Sequence, residues 1–149
     1  RMYKQRFLVS SGTSLLSVKA SEIAYFFSVE KSVFMMTNAG KSYDLDYSLD
    51  KLETILPDKE FFRVNRQFLV NINAIKRISV LSKSRIKIVL EPDFKEEVFV
   101  SNARSREFRL WLDRWVAWAG SISKYKMFLF AFINNFKNVY LIFSVLSCW

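Results

Sequence analysis

Residues 61–78 contain a short run of hydrogen-bonding side chains held between apolar residues. Phe61 and Phe62 precede the run and Phe68 follows it, so both of its ends are expected in the hydrophobic core. Such anchoring lowers the entropy that a segment loses when it docks on a ligand. An Arg guanidinium forms paired hydrogen bonds with guanine or phosphate, and an Asn or Gln amide does so with adenine. The run therefore has the chemistry of nucleic-acid recognition, and its members are Arg63, Asn65, Arg66 and Gln67.

The same block also permits a purely structural interpretation. Arg and Asn side chains in loops often hydrogen-bond to nearby backbone groups, which stabilises the loop without any ligand. Asn71 and Asn73 bracket the turn before the next strand, and for these two residues we prefer the structural interpretation. For the donors within 63–67 both interpretations remain open at this point.

The residue types that are absent exclude most catalytic chemistry. The chain of 149 residues has no His, which removes Ser-His-Asp and Cys-His catalysis and His-ligated zinc. Cys148 is the single Cys, so neither an intramolecular disulfide nor a cysteine-ligated cluster can form, and the cytoplasm is the expected compartment. The sequence also has no paired-carboxylate motif and no Gly-rich phosphate loop. We therefore expect no enzymatic activity, no metal and no cofactor.

Charge is segregated along the chain, whose formal net charge is +9. The segment 61–90 contains seven Lys or Arg and no acid, and a second basic group follows at 104–114. Acidic patches lie at 44–50 and 91–97. Such segregation favours an electropositive face that attracts phosphate backbones. A basic surface that only keeps the chain solvated is the alternative.

Most of residues 6–100 is predicted to form short strands, because β-branched and aromatic residues are concentrated between turn signals. Asn38-Ala39-Gly40-Lys41 predicts the turn of a hairpin, and residues 82–84 predict a second turn. The predicted strands are 6–10, 15–18, 23–29, 33–37, 42–46, 76–81, 85–90 and 97–100.

Two helices are predicted to interrupt the strands. In the first, Ser48 is a suitable N-cap and apolar residues recur at helical spacing up to Pro57. The second begins near Ser101 and continues past Arg114, and its apolar side is expected to cover a sheet. That apolar stripe consists of Phe108, Trp111, Leu112, Trp115 and Trp118.

The pattern over residues 4–115 resembles the LytTR family of bacterial DNA-binding domains. The block at 61–78, which begins Phe-Phe-Arg-Val-Asn-Arg-Gln-Phe, carries most of the resemblance. The aromatic strand 23–27, the helix start at 48–52 and the strand ending at 100–101 occupy matching places. The resemblance implies a mainly β fold, an elongated arrangement of small antiparallel sheets with two short helices. It also implies that loops, rather than a recognition helix, contact DNA.

Carried over to this sequence, the resemblance places three loops against DNA. Asn65 stands where relatives often have His, and Asn102-Ala103 stands where they often have Arg. Two alternatives follow: the base preference differs from that of relatives, or the third loop binds only phosphate. The three loops contribute Lys31 and Ser32, then Arg63, Asn65, Arg66 and Gln67, and finally Ser101, Asn102, Arg104 and Arg106.

The expected roles within these loops differ. We expect Arg66 to read a base, and we expect phosphate contacts from Lys31, Arg63, Arg104 and Arg106. Ser101 lies where an N-cap would, so its hydroxyl is expected to serve the second helix, while nearby backbone N–H groups are expected to donate hydrogen bonds to a phosphate. Arg85 and Lys87 lie on a strand face, where they are expected to solubilise the sheet.

The last part of the chain differs in character from the rest. We predict a DNA-binding domain over 1–118 and an apolar, basic, helical tail over 119–149. Lys137 disfavours a membrane crossing, because a span needs ~20 apolar residues and a central charge costs ~2.5–3.5 kcal/mol. Helices packed on the domain or on another copy, a membrane-surface helix, and a segment foreign to the family remain open.

The predicted function is sequence-specific binding of double-stranded DNA through loops in the major groove, as a transcriptional regulator and output domain of a two-component response regulator. As partners, the resemblance implies promoter DNA with repeated sites, a second protomer on that DNA, and an upstream receiver domain. The chain begins with Arg1 rather than Met, and an upstream part that is missing would fit such a receiver domain. The alternative is a protein-interaction or membrane-associated β module that uses the aromatic tail. Single-strand or RNA binding is less favoured, because most aromatic residues belong to strand and helix stripes.

Overall fold

The structure is a computed structural model that describes residues 2–120, with side chains described as far as residue 115. The described residues divide into two units, residues 2–74 with 91–93, and residues 75–90 with 94–120. The predicted tail therefore lies outside the described residues.

The first unit contains two antiparallel sheets. Its smaller sheet pairs strand β1 (Arg6–Ser11) with β2 (Ser14–Lys19). Its larger sheet consists of β3 (Ile23–Val29), β4 (Ser32–Thr37), β5 (Ser42–Leu45), β6 (Phe61–Arg63) and β7 (Phe68–Asn71), in the spatial order β5-β4-β3-β7-β6. The predicted β4–β5 hairpin is confirmed, and Gly40 supplies its left-handed turn residue with φ 83°.

Helix α1 (Leu49–Ile55) contributes to the core of the first unit. The predicted cap is confirmed, because the Ser48 hydroxyl accepts a hydrogen bond from the Lys51 amide at 3.1 Å. The helix ends before Pro57, which disfavours helical backbone at the residue preceding it. Leu52 and Leu56 are buried, and each such side chain stabilises the fold by about 1.5–3 kcal/mol.

As far as residue 120, the second unit contains a three-stranded sheet and an α-helix. The strands are β8 (Ile75–Val80), β9 (Ile86–Leu90) and β10 (Val98–Val100), in the order β10-β9-β8. Buried residues alternate with half-buried ones along β9. In helix α2 (Ser105–Gly120), residues Phe108, Trp111 and Leu112 of the predicted stripe are buried. The Arg109 guanidinium donates to the carbonyl of Lys83, so the helix contacts the β8–β9 turn at the end of this sheet.

The start of the second helix differs from the prediction. Residues Asn102–Arg104 form a 3-10 turn, and the α-helix begins only at Ser105. Ser101 has extended backbone and occupies the N-cap position of that turn, but its hydroxyl forms no capping hydrogen bond. The expected hydroxyl cap is therefore wrong, and the Ser105 hydroxyl instead donates to the Asn102 carbonyl at 2.9 Å.

The predicted fold class is confirmed for the part of the chain that the structure describes: small antiparallel sheets with two helices. Strands β6 and β7 were not predicted as strands, although their apolar residues were expected in the core. Within residues 2–120 no helix combines the length and the apolar character that crossing a bilayer requires.

Candidate nucleic-acid interface

One end of the five-stranded sheet brings the first two predicted loops together. Strands β3 and β7 are antiparallel neighbours, with Phe27 opposite Phe68. Just beyond this pair, the Ser28 amide donates to the Gln67 carbonyl at 2.9 Å. The turn after β3 and the segment 64–67 before β7, which we call the recognition loop, are therefore adjacent.

The turn between β3 and β4 exposes Lys31 to solvent. Val29 pairs with Ser32, which leaves a two-residue connection of Glu30 and Lys31. Glu30 adopts the left-handed region, with φ 55°, and this allows the tight reversal. Lys31 and Ser32 are both exposed, and the Lys31 ammonium has no ion pair within residues 2–120.

Arg63 is directed toward the protein rather than toward solvent. Its side chain is 12% exposed, and its Nε donates to the Asn65 carbonyl at 2.7 Å. Its Nη2 donates to the Arg66 carbonyl at 2.8 Å, and its Nη1 donates to Asp50 Oδ1 at 2.9 Å. All three nitrogens of this guanidinium therefore bind the recognition loop or helix α1.

Asn65 stabilises the turn of the recognition loop. Its side-chain oxygen accepts hydrogen bonds from the backbone amides of Gln67 at 2.8 Å and Phe68 at 2.9 Å. An amide oxygen has two lone pairs, and both are used here. Asn65 therefore has no acceptor left for the paired contact with adenine, which needs one acceptor and one donor.

Arg66 and Gln67 are the members of the recognition loop whose side chains stay available. Arg66 is exposed and Gln67 is half-buried. Neither side chain forms a hydrogen bond or an ion pair with any other residue that the structure describes. The Arg66 backbone is nevertheless fixed, because its carbonyl accepts from Arg63.

An open groove of about 660 Å³ lies at this end of the sheet. Lys31, Arg63 and Arg66 line it together with carboxylates from β5, from the segment that follows β5, and from the start of α1. Those carboxylates belong to Asp44, Asp46 and Asp50. The groove is thus of mixed charge, and a polyanion can bind there only where the exposed cations, rather than the acids, face it.

The third predicted loop belongs to the second unit. Asn102 and Arg106 are exposed, and the Arg106 guanidinium has no partner within the described residues. Arg104 is 39% exposed and lies 3.5 Å from the Glu107 carboxylate, one turn along α2. Ser101 is half-buried.

Two basic residues of the second unit, Arg85 just before β9 and Lys87 on β9, have local partners. The Arg85 guanidinium lies over the Phe99 ring, 5.0 Å from its centroid. Lys87 donates to the Glu97 carboxylate, and this hydrogen bond, together with the charge of Lys87, lowers the pKa of Glu97.

Asn71 is structural, as predicted. It is 2% exposed, its Nδ2 donates to the Ile23 carbonyl at 3.0 Å, and its Oδ1 accepts from the Asn73 amide at 3.0 Å. Asn73 itself is exposed.

Sequence reasoning missed Asp50 as part of the site. The sequence places it in an acidic patch and at the first turn of α1, where acids are common. No local spacing pairs it with Arg63, since the two are 13 residues apart in sequence. A search for acids near the basic block could have nominated it but could not have chosen it over its neighbours.

Comparison with known proteins identifies the family to which this domain belongs. Residues 13–113, well over half of the chain, match the family model described as LytTr DNA-binding domain. The chain belongs to the LytTr DNA-binding domain family. It is similar to a solved LytTr DNA-binding domain from Bacillus cereus, whose parent protein is described as a methyl-accepting/DNA response regulator. The TM-score is 0.65 at 27% identity, over 73% of this chain and 97% of that one.

Curated relatives include the transcriptional regulatory protein YpdB of Escherichia coli K12 and the protein of the same name in Shigella flexneri. Each is 33% identical over 89 residues, which is 60% of this chain and 36% of the relative. The chain thus spans about a third of the length of these relatives. Family membership confirms the resemblance predicted from the sequence, and with the structural match it confirms a mainly β DNA-binding domain.

Proposed function

We propose that this LytTr domain binds double-stranded DNA sequence-specifically, through loops in the major groove, as the DNA-binding part of a transcriptional regulator. One observation carries the proposal. At one end of the five-stranded sheet, Lys31 and Arg66 are both exposed on adjacent loops, and hydrogen bonds from Arg63 and to Asn65 fix the backbone of the recognition loop. The regulatory role is supported by the similarity to YpdB, a transcriptional regulatory protein.

The contacts divide the donors of the recognition loop into two groups. Arg66 is the base reader, since its guanidinium fork is exposed and its backbone is held. Gln67 is a second base contact, and Lys31 and Ser32 bind phosphate from the neighbouring turn. Arg63 and Asn65 were expected to contact DNA, but their hydrogen bonds support a positioning role instead.

The third loop supplies backbone contacts. Arg106 is exposed, and the Arg104 side chain is 39% exposed at the 3-10 turn, so both guanidinium groups suit phosphate binding. Ser101 and Asn102 complete this contact at the 3-10 turn that precedes α2. Ala103 has no side-chain donor, so we assign no base contact to that position.

The wider setting follows from the same proposal. The domain of residues 1–118 acts as the output domain of a two-component response regulator in the cytoplasm, downstream of a receiver domain. It binds promoter DNA with repeated sites, and two protomers occupy neighbouring repeats. The similarity to a LytTr DNA-binding domain of a response regulator from Bacillus cereus supports the role as an output domain.

Selection from a random duplex pool tests the proposal. The full chain is used to capture duplexes over several rounds at physiological salt, and the bound sequences are aligned. We expect a recurring motif, present twice at a fixed spacing. Recovery of duplexes with no shared motif would contradict sequence-specific binding, and a single unrepeated motif would contradict the repeated-site arrangement.

A further inference from the structure

On the basis of the proposed function, we propose that Asp50 is a specificity-determining positioning residue, which acts through Arg63 on the loop that presents Arg66. Asp50 lies in the first turn of α1, and its Oδ1 accepts from Arg63 Nη1 at 2.9 Å. The same guanidinium holds the carbonyls of Asn65 and Arg66. One carboxylate on a helix therefore orients the cation that fixes the backbone of the base-reading residue.

The hydrogen-bond geometry explains why the carboxylate matters. A guanidinium donates in a planar fork, so a partner on Nη1 restricts the directions of Nε and Nη2. When Asp50 fixes Nη1, the other two nitrogens meet the loop carbonyls at 2.7 and 2.8 Å. The helix that carries Asp50 is itself anchored, because the Ser48 hydroxyl caps it and Leu49 and Leu52 are buried.

The burial of the two partners separates this role from a general stabilising role. The Asp50 side chain is 90% exposed, whereas that of Arg63 is 12% exposed. An ion pair with one fully solvated partner contributes little to global stability. Removing Asp50 is therefore expected to leave the fold intact but to free the Arg63 guanidinium, which then turns toward phosphate and loosens the loop.

Because Asp50 lines the groove, its removal is expected to change the affinities for preferred and unrelated duplexes in opposite directions. A carboxylate that only repels DNA lowers the affinity for every duplex, so its removal raises all affinities together. A positioning carboxylate lowers affinity for unrelated sequences in the same way, but it raises the affinity for the preferred sequence. The ratio of the two affinities therefore distinguishes the roles.

Asp46 provides a matched control. It is exposed, lines the same groove, and forms no hydrogen bond or ion pair within residues 2–120. Asp46→Ala removes the same charge from the same groove without touching Arg63.

The experiment compares the full chain with its Asp50→Ala and Asp46→Ala variants. Each is titrated with the duplex obtained by random-pool selection and with a scrambled duplex of the same length and composition. For Asp50→Ala we expect the ratio of the two affinities to fall about tenfold, the scale of losing one paired Arg–base contact. We expect affinity for the scrambled duplex to rise about twofold, as one repelling charge is lost. For Asp46→Ala both affinities rise equally and the ratio is unchanged.

Two further variants keep the result decisive. The Glu53 carboxylate lies 3.7 Å from Arg63 Nη1 and can replace Asp50, so Asp50→Ala/Glu53→Gln is measured as well. Asp50→Asn retains an oxygen acceptor and is expected to recover part of the ratio. An unchanged ratio in both Asp50→Ala and the double variant would overturn the inference while leaving the proposed function standing. A wild-type chain without preference for the selected duplex would overturn the proposed function, and with it this inference.

Discussion

Asn71 and Asn73 are of the same residue type and only two positions apart, yet their surroundings differ completely. The Asn71 side chain is buried and joins the end of β7 to the Ile23 carbonyl and the Asn73 amide. Asn73 is exposed and contributes only its backbone amide to this arrangement. A buried side-chain amide whose nitrogen and oxygen both form hydrogen bonds within the protein supports the fold and is not available to a ligand.

Replacing Asn71 therefore tests the structural assignment. Asn71→Ala leaves a buried carbonyl and a backbone amide without partners, so we expect the free energy of unfolding to fall by about 1–3 kcal/mol. Urea denaturation of the full chain measures this change. Asn73→Ala is the control and should alter stability by less than about 0.5 kcal/mol. Equal losses in the two variants would contradict the assignment.

The donors of 63–67 show how far the sequence predicts a site. Their types and their place between apolar anchors were sufficient to locate the loop and its chemistry. The direction of each side chain was not predictable, because it depends on hydrogen bonds made only in the folded chain. Arg63 turns inward toward Asp50, and Asn65 turns toward amides of its own loop. Arg66 lacks such partners within the described residues and stays exposed.

At the scale of elements, predictions succeeded where local signals were strong. The β4–β5 hairpin follows from a turn sequence containing Gly40, and α1 follows from Ser48 and its apolar spacing. Strands β6 and β7 lack such signals. They have three and four residues, and β7 is buried on both faces, so no polar–apolar alternation marks it. Their strand character comes from pairing with each other and with β3, which is distant in sequence.

Strand β3 is also tied to the short segment 91–93 of the first unit. The Tyr25 hydroxyl donates to the Pro92 carbonyl at 2.9 Å, and the Tyr25 side chain is buried. Burial, and secondarily the charge of Asp93, raises the pKa of Tyr25 from 10.0 to about 12. The fold thus requires the neutral phenol at this position.

This shifted pKa predicts a loss of stability in alkali. Because the folded-state pKa exceeds the unfolded value, the stabilisation is complete below pH 10 and is lost as the pH rises from 10 to about 12. Tyr25→Phe should be less stable at neutral pH, since it lacks the hydrogen bond, but its stability should fall less steeply in alkali. Denaturant midpoints measured across this range test the prediction. Parallel pH profiles for the two proteins would refute it.

At the scale of the whole molecule, the net charge of +9 favours association with a polyanion. The acids neutralise some of the basic residues locally but not all of them, because Lys31, Arg66 and Arg106 have no ion pair within residues 2–120. Such cations displace condensed counterions when they bind phosphate, and this displacement makes affinity dependent on salt.

The salt dependence of DNA binding follows from this charge distribution. If the protein contacts six phosphates, log K should fall with log salt with a slope of about −5, that is, −0.9 for each phosphate. Titrations of the full chain with the selected duplex at several salt concentrations give the slope. Binding that does not change with salt would contradict the electrostatic part of the proposal.

The most direct test of base reading by the recognition loop is Arg66→Ala, measured against every single-base variant of the selected duplex. We expect a cost of ~1–3 kcal/mol for the preferred duplex and a loss of discrimination at one base position. Arg77→Ala is the control, because Arg77 is exposed on β8 and has no partner within the described residues. It should leave discrimination intact. An Arg66→Ala protein whose affinity falls equally for all sequences would show that Arg66 contacts only the DNA backbone.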